Sequence, residues 1–245
     1  MKQVLAREAK AFLSRRGLRL TLDRDDDWEP TLDLFRLVVD AAFGPEGPAR
    51  IVQIGANDGI TNDPIRPLLA GGHGRAVLVE PLPEPYACLA ERWAASERVT
   101  TLHAAVAARD GEQDFYVVEC PDPADALRFS RLASFDRSVV EKNLPTIGRR
   151  GRIRRRPVRT VSPATVLAEG GLDGADLLQV DTEGFDAQVV GFFLDAGHRP
   201  RLIHFEHQHL SRAADQALRE RLAGLGYRLA RHGRDTAALL DDASG

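Results

Sequence analysis

With 245 residues, 43% hydrophobic and 28% charged, the chain carries enough apolar material for one sizeable core and suits a single open α/β sheet. A net charge of -3 gives no global attraction to nucleic acid or anionic lipid, so such a partner needs a local basic patch. The two cysteines, Cys88 and Cys120, lack a short paired spacing, which excludes a disulfide framework and a thiolate zinc site and fits a reducing cytoplasm.

Lys2, Arg7, Glu8, Lys10, Arg15 and Arg16 interrupt the first twenty residues, so they are read as neither a signal peptide nor a membrane span. Leu5, Ala9, Phe12 and Leu13 have helical spacing, and Leu34, Phe35, Val38, Ala41 and Ala42 repeat it after Asp25-Asp26-Asp27. Two helices are therefore expected, closed by the breaker cluster Gly44-Pro45-Glu46-Gly47-Pro48. Residues 1–48 become a helical lead-in and residues 49–245 the main domain.

Beyond Arg50, apolar runs alternate with helical patterns, the mark of strands joined by crossover helices in a parallel sheet. Ile51-Val52-Gln53-Ile54 is the first strand and Ala76 to Glu80 the second. Pro85 is expected to start a helix with Tyr86, Leu89 and Trp93 inward. Val99 to Val106 reads as the third strand and Phe115 to Val118 as an added one. Pro121 to Gly148 shows no clean period and reads as a loop or lid. Pro157 to Val161 is extended, Asp176 to Asp181 is the fourth central strand, and Gly184 to Leu194 a helix buried through Ala187, Val190 and Phe193. Arg201 to Glu206 is the fifth strand. A helix through Ala214, Leu218, Leu222 and Leu225 follows, then a hairpin of Tyr227 to Leu240 about Gly233.

The strongest local signal is Gln53-Ile54-Gly55-Ala56-Asn57-Asp58-Gly59, a buried strand entering a glycine turn where the backbone approaches a ligand closely. Asn57 and Ile60 stand where a dinucleotide fingerprint needs glycine, so a pyrophosphate cradle is disfavoured. A smaller ligand with a carboxylate and an amine suits the turn, the amine going to Asp58 or a nearby carbonyl. Glu80 ends the second strand about twenty residues later, where an acid accepts ribose hydroxyls. The plain alternative is an ordinary strand-to-helix turn with Glu80 as a cap.

Asp181-Thr182-Glu183-Gly184-Phe185-Asp186 lies where the fourth strand meets a helix. Ligands of open α/β sheets bind beyond the carboxyl ends of the strands, which aims Asp181 and Glu183 into a cleft. Asp186 is expected to complement the helix dipole. In His204-Phe205-Glu206-His207-Gln208-His209, alternation puts His204 and Glu206 on one face and Phe205, His207 and His209 on the other, and the strand end delivers Glu206 and His207 to the same cleft. His207 is the natural general base by its ordinary pKa; the plain alternative is a hydrogen-bonded structural histidine.

Taken in order, Gln53-Ile54-Gly55-Ala56-Asn57-Asp58-Gly59, Val79-Glu80-Pro81, Ala104-Ala105-Val106, Asp181-Thr182-Glu183-Gly184 and Phe205-Glu206-His207 resemble the FkbM-type methyltransferases over roughly residues 50 to 230. The resemblance implies a doubly wound, mostly parallel seven-stranded class I methyltransferase sheet with a terminal antiparallel hairpin. It implies S-adenosylmethionine held by Gln53, Gly55, Ala56, Asn57, Asp58, Gly59, Glu80, Pro81, Ala104, Ala105 and Asp181. It further implies O-methylation of a hydroxyl on a small molecule, sugar or polyketide-like acceptor, with Asp181, Glu206 and His207 catalytic. Gln53 departs from the acid usual in the family at that place, and Gln179 from the lysine or similar residue. Asp181 and Glu206 on adjacent strands resemble the paired acids that hold magnesium in metal-dependent O-methyltransferases. Arg149, Arg150, Arg152, Arg154, Arg155, Arg156 and Arg159 raise nucleic acid, or an acidic, carrier-bound or phosphorylated acceptor, as a partner; a solvated, charge-protected strand is the plain reading. A non-catalytic module of the same fold is the remaining alternative.

Overall fold

The computed structural model describes residues 18–22, 28–119, 129–130, 132–147 and 151–240. The chain divides into two compact units, Met1–Gly47 and Pro48–Gly245. In the first, β1 (Leu18–Leu22) pairs antiparallel with β2 (Trp28–Leu32), a hairpin that helical periodicity does not announce. Helix α1 (Leu34–Phe43) follows where expected, its N-terminus capped by Asp33, whose carboxylate accepts from Arg36 N at 3.2 Å. The helix expected from Leu5 to Leu13 lies outside the described residues.

The second unit is built on a seven-stranded sheet. Its strands in chain order are β3 (Arg50–Ile54), β4 (Arg75–Glu80), β5 (Val99–His103), β9 (Leu177–Val180), β10 (Leu202–Glu206), β11 (Tyr227–His232) and β12 (Asp235–Leu240), arranged β11-β12-β10-β9-β3-β4-β5. Pairs β3–β4, β4–β5, β3–β9 and β9–β10 are parallel, and the terminal hairpin joins β10 antiparallel. The doubly wound, mostly parallel α/β class expected from the alternation is therefore present. Strands β9 and β10 are buried along their whole length, as parallel strands covered on both faces must be.

Helices α2 (Arg66–Ala70), α3 (Pro83–Trp93), α5 (Pro163–Glu169), α6 (Asp186–Asp195) and α7 (Arg212–Gly224) complete the crossovers. Val52, Ile54, Val77, Val180, Phe193, Phe205 and Leu222 form one continuous apolar core. Helix α3 starts at Pro83, two residues before the expected proline, since either proline fits a first turn. In α6 the buried set is Asp186, Val189, Val190, Phe193 and Leu194, while Ala187 is only partly buried. No helix among the described residues is long and apolar enough to cross a membrane.

A second, three-stranded sheet is the main architectural surprise. It contains β6 (Ala105–Val106), β7 (Gly111–Glu119) and β8 (Arg152–Val161) in the order β6-β8-β7. The run expected to be one strand from Val99 to Val106 splits at Ala104, whose N–H donates to the Glu80 carbonyl. The two residues beyond it turn away to pair with Thr160 and Val161. The stretch expected to be a loop holds helix α4 (Arg137–Asn143), capped by Asp136, which accepts from Ser138 N at 2.8 Å. Its short turns defeat any test for a long period.

Along β8 four of the five arginines face acids across the register or on nearby helices. Arg154 meets Glu119 at 2.8 Å, Arg155 meets Asp114 at 3.1 Å, Arg156 meets Glu84 at 3.5 Å, and Arg159 pairs with Glu169. Arg149 and Arg150 lie outside the described residues.

Candidate functional site

A cavity of about 420 Å³ opens at the carboxyl ends of β3, β4, β9 and β10, a volume in the range of small-molecule sites. One end is walled by Gln53, Gly55, Ala56, Asn57, Glu80, Pro81, Ala104 and Ala105; the other by Glu183, Phe185, Glu206, Gln208, His209 and Arg234. Asp181 lies between them and is exposed.

The turn after β3 is fixed by sterics and by one carboxylate. Gly55 has φ +81°, and a Cβ there would lie 1.8 Å from the Asp181 carbonyl oxygen. The glycine thus lets the ends of β3 and β9 meet, rather than only admitting a ligand as expected from sequence. Gly59 serves packing too, since its Cβ would lie 2.7 Å from Leu89 Cδ1 on α3. Gly55 N and Ala56 N both donate to the Val79 carbonyl. Glu80 then straddles the gap: Oε2 accepts from Asn57 N and Oε1 from Leu82 N, both at 2.9 Å. Burial pushes its carboxyl up to about 7, against those two amides, with the Asp181 and Asp58 charges adding to the rise.

Asp58 does not lie in the cavity wall. Its carboxylate accepts from Ile60 N, Thr61 N and Thr61 Oγ1 at 2.6–2.9 Å, so it closes its own turn and is spent as a partner for an amine. Gly59 is also absent from the wall. Of the two acids in this loop, Asp63 is the one that lines the cavity, and sequence reading missed it. Its Oδ1 accepts from Gln53 Nε2 at 2.9 Å and from Ile65 N at 2.8 Å, and burial raises its carboxyl above the usual range. Gln53 sits opposite Gln179 across the β3–β9 pairing. That cross-strand amide pair in a buried sheet was a signal on the sequence, as was the Asp63-Pro64 step opening α2.

Beyond β9 the chain makes a strained turn in which Glu183 has φ +52° and Gly184 φ +104°. Asp186 holds it: the buried carboxylate accepts from Thr182 N at 3.3 Å, Thr182 Oγ1 at 3.1 Å and Gly184 N at 3.1 Å. Burial, with Asp181 as the next cause, pushes the Asp186 carboxyl up to about 7. The aspartate expected only to complement a helix dipole is therefore the knot of the turn. Replacing Asp186 with Ala strips three part-buried donors of their acceptor and empties a buried site, and a loss of roughly 2–4 kcal/mol in unfolding free energy is expected by urea titration.

Strand β10 stops at Glu206, and the following turn re-aims the residues that alternation would have placed. His207 leaves the cavity wall: its Nδ1 is 3.0 Å from Thr236 Oγ1, and burial lowers its pKa. His209 comes in instead, with Nε2 3.3 Å from Glu183 Oε2 and 3.6 Å from Glu206 Oε2, and with Nδ1 3.4 Å from Asn143 Nδ2. Desolvation lowers the His209 pKa, helped by Arg234 and Lys142. Burial raises the Glu206 carboxyl to about 9, with Asp181 and Glu183 as the next causes. Among the described residues, the group able to hold a metal is Glu183, Glu206 and His209; the pair expected from sequence, Asp181 with Glu206, is not that group. Phe115, Phe135 and Phe185 pack ring to ring along the wall, with centroids 4.8 and 5.0 Å apart.

Comparison with known proteins agrees with this arrangement at the level of family. A family model described as the methyltransferase FkbM domain matches residues 53–229. No curated protein matches the chain. Among solved structures, the methyltransferase FkbM of Methylobacillus flagellatus KT is 13% identical with a TM-score of 0.47, over 78% of this chain and 43% of that one. The chain thus spans less than half the length of that protein. An SAH-bound methyltransferase of Podospora anserina is 15% identical with a TM-score of 0.42, over 99% of this chain and 97% of the other.

Proposed function

The chain belongs to the FkbM methyltransferase domain family, and from that premise we propose that it moves the methyl group of S-adenosylmethionine onto a hydroxyl oxygen of a small acceptor. The observation that carries the reading is Glu80. Its carboxylate is pinned by two backbone amides at the end of the second strand, inside the cavity and beside the Gly55 turn. A carboxylate held so firmly still has lone pairs for the two ribose hydroxyls of an adenosyl group.

Gly55, Ala56 and Asn57 would meet the methionine end, while Pro81, Ala104 and Ala105 provide apolar wall nearby. Asp63 with Gln53 replaces the acid the family usually carries on the first strand, and is our choice, in place of Asp58, for the cofactor's amine. The acceptor then occupies the end lined by Phe115, Phe135 and Phe185 and by the Glu183, Glu206 and His209 cluster. Transfer forms an O–CH₃ bond as the S–CH₃ bond breaks and its electron pair returns to sulfur. Positioning of the oxygen in line with that bond supplies much of the rate. His209 and the acids around it, rather than His207, face the oxygen that must lose its proton.

Titration calorimetry with S-adenosylmethionine, followed by transfer of a labelled methyl group to a panel of hydroxylated small molecules, tests the reading. Saturable one-to-one binding and label in an ether product are expected. Absence of binding at millimolar cofactor would sink it.

A pH dependence follows from Glu80. With its carboxyl raised to about 7 in the free protein, the group is mostly protonated at pH 6 and ionised at pH 8. Ribose hydroxyls donate to the anion, so binding releases a proton and tightens as pH rises through 7, then levels off. Calorimetry with S-adenosylhomocysteine at pH 6 and pH 8 should show roughly tenfold tighter binding at the higher pH. The same pair of measurements on Glu80→Gln should lose that slope; a wild-type affinity flat across the range would contradict the assignment.

A further inference from the structure

We propose that Glu183, Glu206 and His209 hold a divalent first-row transition-metal ion at the acceptor end of the cavity. One donor atom from each residue lies within 4.8 Å of the other two. The imidazole Nε2 is 3.3 Å from one carboxylate oxygen and 3.6 Å from the other. The second separation lies beyond hydrogen-bond reach and the first at its long end, so neither contact is a close hydrogen bond. They suit two ligands on one tetrahedral ion instead: with metal–ligand bonds of about 2.0–2.2 Å, ligand atoms sit about 3.3–3.6 Å apart.

A second observation points the same way. Glu206 is only 9% exposed, and its Oε2, the oxygen that approaches His209, is buried without any hydrogen-bond partner. A buried carboxylate oxygen left without a donor is costly, and a small cation between it and the imidazole meets that need. The turn carrying Glu183 is held in a left-handed conformation by the Asp186 knot, so the third ligand is supplied by a rigid element.

The donor set chooses the ion. One imidazole nitrogen and two carboxylates suit zinc or manganese, whereas calcium and magnesium prefer oxygen shells alone. Three protein ligands leave a position open, as in catalytic zinc sites. Asn143 Nδ2 lies 3.4 Å from His209 Nδ1, a contact that orients the ring.

The role of the ion rests on the methyl-transfer reading above. An acceptor hydroxyl in the open position would have its pKa lowered. Its proton then leaves to water while the oxygen takes the methyl and the sulfonium becomes a thioether.

The test uses the full chain, stripped with chelator and titrated with Zn²⁺ by calorimetry, and with Co²⁺ by visible absorption. One equivalent of Zn²⁺ and a Co²⁺ ligand-field spectrum of low symmetry are expected. Glu206→Gln and His209→Gln should each weaken Zn²⁺ by at least about 100-fold, while His207→Gln, outside the cluster, leaves binding as it was. Affinity unchanged in Glu206→Gln and His209→Gln, or no uptake by the wild type, overturns the proposal and leaves a metal-free cluster. Titration of the same samples with S-adenosylhomocysteine keeps the two ideas apart. Variants that keep the nucleoside but lose the ion report on the metal alone. A wild type that binds Zn²⁺ and ignores the nucleoside defeats only the methyl-transfer reading.

Discussion

Glu80→Ala should abolish measurable cofactor binding, with affinity for S-adenosylhomocysteine falling by about 100-fold or more. Two effects combine. The variant loses the acceptor for both ribose hydroxyls, and hydrogen bonds to a charged group contribute roughly 1.5–3 kcal/mol each. It also frees Asn57 N and Leu82 N, the two amides that Glu80 clamps, so the turn meant to receive the methionine end loses its brace. At about 1.4 kcal/mol per tenfold, the ribose contacts alone account for the expected loss. Calorimetry on wild type, Glu80→Gln and Glu80→Ala measures it, with circular dichroism to verify the fold. Near wild-type affinity in Glu80→Ala would mean that this carboxylate is a structural brace and that the sugar is held elsewhere.

Gly55→Ala should unsettle the whole sheet. The added methyl group meets the Asp181 carbonyl oxygen at 1.8 Å, at a backbone angle of φ +81° that side chains resist. Neither obstacle is the flexible tip of a side chain. The carbonyl belongs to the residue that hydrogen-bonds Ile54 from the neighbouring strand end, so relief requires β3 and β9 to part. A loss of about 3 kcal/mol or more is expected, lowering the melting temperature by roughly 10 °C in a domain of this size. Gly197→Ala is the comparison: φ is +86° there, but nothing lies within 4 Å of the added carbon, so it carries the backbone penalty without the clash. Equal melting temperatures for the two variants would show that the strand ends yield easily.

Much of the main sheet could be read from periodicity, because Ile51 to Ile54, Leu177 to Val180 and Leu202 to Glu206 are short apolar runs buried on both faces. Glu80 was equally legible, since a lone acid closing such a run stands out. The second sheet was not. Its strand β8 carries arginine at five of ten positions, and its pairing with β7 is set by contacts between residues 33 to 49 apart in sequence rather than by local pattern. His209 escaped for a related reason. Alternation sets His207 and His209 on one face and cannot choose between them; the turn after Glu206 makes the choice, bringing in the histidine three places on, not one. Asp58 and Asp63 show the converse failure: both are acids in the same loop with three donors each, and only the folded turn reveals that Asp58 uses both oxygens while Asp63 takes all three on Oδ1.

The arginine-bearing strand has a consequence for long-range encounters. Four of its five arginines are answered within a few ångströms by Glu119, Asp114, Glu84 and Glu169, so most of the strand's charge is presented as small dipoles. A dipole's field fades faster with distance than a bare charge's, and salt shortens it further. A charged visitor would therefore feel these four pairs only at close range.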